Sequence, residues 1–421
     1  MSSLTPPKAS NTLPLLLIIG YVWPEPNSSA AGSRMMQLIS SFLARGYRIN
    51  FASPADFSDH AVDLQALGVD VTAIELNNTS FDEFVAELQP QVVLFDRFMM
   101  EEQFAWRVSN NCPQAIRILN MEDLHSLRHA RQQAIKAGGN SDDAELNTEM
   151  AHRELAAIFR SDLTLVISPF EYQLIHQHYQ VPESQLLLLP FMLAEPTQPS
   201  SLPFEQRHHF VSIGNFRHAP NWDAVLQLRQ LWPAIRRQCG DAELHIYGAY
   251  PPKKATQLHN SAIGFHIKGW AQDVTELMSN ARVLLAPLRF GAGLKGKLLD
   301  AMCHGLPSVT TPIGAEGMTV AADWPGAVRS EDQAFIDEAV RLYQDRQAWQ
   351  QAVAQIPAHL VPYQRSTLEQ ALFERIYGID QDINGHRQQH FIGAMLQHHS
   401  LKSTQYMSQW IEAKNKLKSQ P

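Results

Sequence analysis

Two lysines, Lys295 and Lys297, follow a glycine-rich stretch in "RFGAGLKGKLLDAM" (289–302). The apolar stripe Leu294, Leu298, Leu299 and Met302 has helical spacing and predicts a helix with Lys295 in its first turn. A cation at that positive dipole end costs about 0.3–1 kcal/mol unless an anion sits nearby. Free backbone N–H groups, the close approach allowed by Gly291 and Gly293, and two mobile cations together make an anion cradle. Side chains two residues apart diverge in a regular helix, so both lysines reach one ligand only where the chain is still turning. Lys297 and Asp300 share a face, and an ion pair between them is the competing use of Asp300.

Other stretches also carry reactive side chains. In "LNMEDLHSLRHARQQA" (119–134) a strand ends near Asn120, and Glu122, Asp123, His125 and Arg128 follow at the turn into a helix. A helix-capping Asp123 and a surface His125 are the alternative there. Gly214 and Asn215 end the strand of "HHFVSIGN", and Asn215 with Arg217 just beyond faces the cleft, a surface role being the alternative for Arg217. Glu316, in "GAEGM" (314–318), lies in the turn after the next strand, where capping is its other possible use. Ser29 and Gly32 belong to a small-residue loop, Ser28 to Gly32, that enters a helix and suits close approach by a ligand.

These residues need a scaffold. Short apolar runs at 14–20, 48–53, 71–75, 91–95, 115–119, 163–167 and 186–189 read as strands separated by amphipathic helices such as 33–46. That alternation predicts a parallel sheet covered on both faces. A proline-rich segment, "LPFMLAEPTQPSSLPFE" (189–205), reads as a linker. The pattern then restarts with "HHFVSIGN", a long helix, "AELHIYG", "GFHIKG", "ARVLLAP" and "PSVTT". The expected fold is α/β: two Rossmann-like domains facing across a cleft, with a C-terminal helical extension. The expected boundaries are 13–190 for the first domain, 191–204 for the linker, 205–360 for the second domain and 361–421 for the helical extension. Ligands of such sheets bind at the carboxyl ends of the strands, so the cleft is the expected site.

Composition narrows the partners. A chain of 421 residues predicts two or three domains, and a net charge of −8 argues against general nucleic-acid binding. Cys112, Cys239 and Cys303, odd in number and far apart, predict no disulfide framework. The run "LPLLLIIG" is too short to span a bilayer, lacks a cleavage site and reads as a strand; a cytoplasmic protein is expected. No metal is expected. "DQDING" (380–385) opens like a calcium loop but has Phe391 where a bidentate glutamate belongs. The pairs His208–His209 and His398–His399, and His176 with His178, lack a further ligand at metal spacing.

"GAGLKGKLLDAMCHGLPSVTTPIGAEGM", with "IGNFRHAPNWDAV" and "GWAQDVTELMSNARVLLAPLRFGAG", resembles the donor-binding region of GT-B glycosyltransferases, most closely glycosyltransferase family 4. The resemblance covers the second domain. It implies a nucleotide-sugar donor whose diphosphate lies on loop 290–296, within reach of Lys295, Lys297, Asn215 and Arg217. Asp300 stands where the family usually has the glutamate that holds the ribose hydroxyls. A second family glutamate, eight positions earlier, is replaced here by Ala292, and Glu316 is the candidate to reach the same cleft.

The resemblance further implies an acceptor-binding first domain, in which His125 hydrogen-bonds the sugar and Glu122 or Asp123 helps take the acceptor proton. The departing diphosphate is stabilised by lysines and a helix N-terminus already aimed at it, so neither cofactor nor metal is implied. The acceptor is a glycan, a lipid-linked molecule or a protein hydroxyl, and peripheral membrane contact is compatible with that. Transfer with retention of anomeric configuration, in polysaccharide biosynthesis, is the implied activity. A nucleotide-sugar epimerase of the same fold and a non-catalytic sugar-binding or scaffold subunit are the rivals, the second favoured by Ala292.

Overall fold

A computed structural model describes residues 13–194 and 202–418, so part of the proline-rich linker, 195–201, and the last three residues of the tail lie outside the described residues. The first sheet has seven parallel strands: β1 (Leu15–Ile19), β2 (Arg48–Ser53), β3 (Asp70–Ala73), β4 (Val92–Asp96), β5 (Ile116–Asn120), β6 (Leu163–Val166) and β7 (Leu186–Leu188). Their order is β3-β2-β1-β4-β5-β6-β7. The second has six: β8 (His208–Ile213), β9 (Leu244–Tyr247), β10 (Phe265–Gly269), β11 (Ala281–Ala286), β12 (Ser308–Thr310) and β13 (Gly326–Val328), in the order β10-β9-β8-β11-β12-β13. The strand order reverses between β1 and β4 and between β8 and β11. A crevice opens at such a point, beyond the carboxyl ends of the strands.

The helices form for local reasons. Ser29 caps Ala30–Ala44 by accepting from Gly32 N at 3.0 Å, and Met35, Leu38, Ile39 and Phe42 bury one face of that helix. Each such side chain contributes about 1.5–3 kcal/mol when fully buried. Gly46, at φ +81°, ends the element in a conformation that a side chain disfavours. Gly32 is needed at the start, because a Cβ there would meet the Glu25 carbonyl at 2.4 Å.

The C-terminal extension returns to the first domain. Leu372, Ile376 and Ile379 of helix Arg365–Gln381, with Ile383 beyond it, join the core of Leu38, Phe42 and Phe51. Leu401 of helix Phe391–Lys418 enters the core on the other face of the same sheet. Phe391, Met395, Tyr406 and Trp410 of that last helix stay exposed. Among the described residues, no helix is long and apolar enough to cross a membrane.

Three details refine the sequence reading. All three cysteines are free. The "DQDING" segment is a helix junction: Asp382 accepts from Gly385 N at 2.8 Å and starts helix Ile383–Gln388, so its carboxylate is used as a cap. His209 does have metal-capable neighbours, contrary to its spacing in sequence, because strand register brings Glu243 and His245 beside it.

The domains meet in a fourth core. Ile167 and Phe191 pack with Leu294, Leu298, Leu299 and Met302, so the stripe that predicted the helix is the surface that docks it. That helix spans Gly296–Cys303, and Lys295 is its N-cap residue, one position before the expected first turn.

Candidate active site

A cavity of about 820 Å³ lies between the two strand-order reversals. It brings together Ser29, Gly32, Asp123, His125, Asn215, Arg217, Gly291, Gly293, Lys295, Lys297 and Asp300. Glu316 is not among the lining residues.

The loop after β11 is shaped by close approach. Gly293 sits at φ +64°, and a Cβ there would meet Asp123 Cβ at 2.8 Å. The first domain grips this loop twice. Glu171, in helix Pro169–Gln173, accepts from Gly293 N at 2.7 Å and from Leu124 N at 2.9 Å. Arg131 donates to the Gly291 carbonyl at 2.9 Å and to both Glu316 oxygens at 2.7 Å. Glu316 is thereby committed to Arg131, where it stiffens the loop from behind.

Both lysines are held in place. Lys295 Nζ donates to the Gly293 carbonyl at 2.8 Å, and Lys297 Nζ to Asn221 Oδ1 at 2.7 Å. Burial pulls the Lys297 ammonium down to about 8; burial also lowers Lys295, against the opposing charges of Glu316 and Glu171. The lysine–aspartate ion pair is not formed, since Lys297 turns to Asn221. Asp300 faces the cavity with an edge open to solvent, and the protein crowded around it pushes its carboxyl up to about 6. The Arg217 guanidinium lies 3.6 Å from the Tyr250 ring centroid, and Asn215 Oδ1 accepts from Arg217 N at 2.9 Å.

On the opposite wall, His125 Nδ1 lies 2.9 Å from the Asp123 carbonyl oxygen, which can only accept. The neutral ring therefore carries its proton on Nδ1 and keeps Nε2 as an acceptor for a hydroxyl. Burial works against the Asp123 charge, but Arg128, His125, His218 and Arg97 outweigh it and hold the carboxyl below its usual range. A carboxylate so stabilised, and ion-paired with Arg128, is a weak base.

Glu122 is the opposite case. It lines the cavity at φ +59°, a conformation costly for a side-chain-bearing residue. Its Oε1 accepts from Asn120 Nδ2 at 2.7 Å and lies 4.0 Å from Arg34 Nε. Burial, reinforced by Asp96 and opposed by Arg34 and Arg97, pushes its carboxyl up to about 7. Of the two acids after β5, Glu122 alone has the proton affinity of a working base at neutral pH.

Sequence reasoning missed Arg34, Arg131 and Glu171, whose charged ends are buried. A signal existed for Arg34, which sits on the apolar face of its helix beside Met35 and Leu38. Arg131 and Glu171 lie in helices whose partners are set only by how the domains meet.

Residues 207–345 match the family described as Glycosyl transferases group 1, the region in which the resemblance was read. No curated protein matches the chain. Among solved structures, the chain is similar to the lipopolysaccharide outer core galactosyltransferase WaaB in its apo form, at a TM-score of 0.59 and 13% identity over 86% of this chain and 99% of that one. It is similar to Anabaena HepE in complex with UDP and glucose, at 0.64 and 11% over 86% and 99%. It is similar to TarM, at 0.67 and 8% over 86% and 99%. The architecture is the GT-B fold, with two Rossmann-like domains and C-terminal helices. Within it, the second domain carries the sequence pattern of group 1 glycosyl transferases.

Proposed function

We propose that this protein is a glycosyltransferase that moves a hexosyl group from a nucleotide sugar to an acceptor hydroxyl, with retention of anomeric configuration. The observation that carries this reading is the convergence, in one cavity, of Lys295, Lys297, Asp300 and the start of helix Gly296–Cys303 opposite His125. The lysines, the helix N-terminus and Arg217 take the diphosphate, and Asp300 takes the ribose hydroxyls. His125 Nε2 accepts from a sugar hydroxyl.

As the bond to the sugar breaks, negative charge grows on the diphosphate, where fixed cations stabilise it without reorganising. No metal is required for that step. Glu122 receives the acceptor proton. Glu316 acts through Arg131 and the loop, and Ser29 through its helix cap. HepE, a structural neighbour, is described in complex with UDP and glucose, which favours a nucleotide-sugar donor over the scaffold reading. The acceptor belongs to polysaccharide or surface-glycan assembly on the cytoplasmic side, and the exposed apolar face of helix Phe391–Lys418, with Lys402, Lys414, Lys416 and Lys418 on the same helix, lies on the membrane.

The test is turnover with a panel of nucleotide sugars in EDTA. Free nucleoside diphosphate together with a glycosylated acceptor supports the proposal; an isomerised sugar nucleotide would make the protein an epimerase, and binding without turnover would make it a scaffold.

A further inference from the structure

At the other end of the second sheet, far along the strands from the cavity, four metal-capable side chains share one face. Register aligns Phe210 with Leu244 and His245 with His266, which sets His209 on β8 and Glu243, just before β9, beside His245 and its β10 neighbour. Phe210, Leu244 and Phe265 alternate with them and point into the core on the opposite face. Ligand atoms of His209, Glu243 and His245 all lie within 4.8 Å of one another. The Glu243 carboxylate sits between two imidazoles, Oε2 at 2.7 Å from His245 Nε2 and Oε1 at 3.4 Å from His266 Nε2.

Two features are poorly explained by hydrogen bonding alone. His266 is only 8% exposed, and its Nε2 has only the long 3.4 Å approach to Glu243 Oε1, which falls short of a well-formed hydrogen bond. His209 is held at φ +63°, which a side-chain-bearing residue adopts only when its surroundings demand it.

We propose that His209, Glu243 and His245, with His266 as fourth ligand, bind a divalent transition-metal ion of the zinc class. Imidazole nitrogens with one carboxylate are the donors that Zn²⁺ takes, at about 2.0–2.2 Å in a tetrahedron. That geometry needs ligand atoms about 3.3 Å apart, so a modest rotation of the partly exposed His209, Glu243 and His245 side chains toward His266 closes the set. His209 Nδ1 gives up a long 3.2 Å contact with the Glu243 backbone N–H to join it. The ion would pin β8, β9 and the edge strand β10 together, as a structural staple rather than a participant in transfer. An edge strand is where such a staple is most useful, since β10 is paired on one side only.

The experiment uses the full chain without a histidine tag. Zn²⁺ is titrated calorimetrically, and Co²⁺ is substituted to read the intense visible absorption of a tetrahedral site. One equivalent is expected to bind, to raise Tm, and to bind at least tenfold more weakly in His209→Ala, Glu243→Gln and His245→Ala. His386→Ala, in the tail, should leave the affinity unchanged. Retained nucleoside-diphosphate binding at the distant cavity shows that each variant has folded. Absence of saturable binding, an octahedral Co²⁺ spectrum, or affinity unchanged in the three variants would overturn the proposal.

Discussion

Arg131 and Glu316, one from each domain, are joined by two 2.7 Å hydrogen bonds, and the same guanidinium holds the Gly291 carbonyl. The pair is nearly closed off from solvent, with side chains 4% and 13% exposed. Glu316→Ala strands a buried cation and should cost about 3–5 kcal/mol of stability. In an Arg131→Met background the same change should cost less than about 1 kcal/mol, because the partner is already gone. A double-mutant cycle by denaturant unfolding measures this. Loss of turnover on Glu316→Ala in the Arg131→Met background, with the fold intact, would instead place Glu316 at the reacting sugar.

Donor affinity should be bell-shaped in pH. Asp300, raised to about 6, is neutral below that value and accepts hydroxyls better once ionised, so affinity rises through about pH 6. Lys297, lowered to about 8, loses its charge above that value, so affinity falls beyond about pH 8. Lys297→Arg keeps its charge at all working pH values and should shrink the alkaline limb, leaving only the part that Lys295, also lowered by burial, supplies. Calorimetric Kd values across pH 5–9 decide it, and a flat profile would mean that neither group meets the donor.

Asp300→Asn should raise the donor KM about 10- to 150-fold, the roughly 1.5–3 kcal/mol of a charged hydrogen bond, and remove the acid limb. The fold should be unaffected, since Asp300 makes no ion pair with Lys297 to lose. Unchanged kinetics would separate Asp300 from the ribose.

Glu122→Gln should lower kcat by about 10²–10⁴ with donor affinity intact, the range for removing a general base. In the parent protein kcat should rise with pH through about 7, as Glu122 loses its proton, and the glutamine variant should lack that rise. A parent-like pH profile in Glu122→Gln would give the proton to another acceptor.

Much of this architecture is legible in the sequence, because parallel strands buried on both faces read as continuous apolar runs. "LPLLLIIG" gave β1, and 48–53 matched β2 to the residue. β13 escaped because Gly326–Val328 has three residues and no apolar run; only its pairing with β12 makes it a strand. The lysines and Asp300 were visible through local spacing, which one loop and one helix fix by themselves. Glu171, Arg131 and the cluster around Glu243 were not, because each depends on a partner brought in by the fold, such as His209, 34 residues from Glu243, and Glu316, 185 from Arg131. The return of helix Arg365–Gln381 to the first domain was likewise hidden: its apolar residues announce burial but not against which sheet.

The most direct test of the central claim compares two variants on two ligands. Lys297 is placed on the diphosphate and His125 on the sugar. Lys297→Ala should weaken a nucleoside diphosphate and its sugar nucleotide alike, by roughly 1.5–3 kcal/mol or about 10- to 150-fold. His125→Ala should leave the nucleoside diphosphate Kd unchanged while cutting kcat, since its contact tightens in the transition state. Unchanged affinity for both ligands in Lys297→Ala would contradict the account, because the cavity would then not be a diphosphate site.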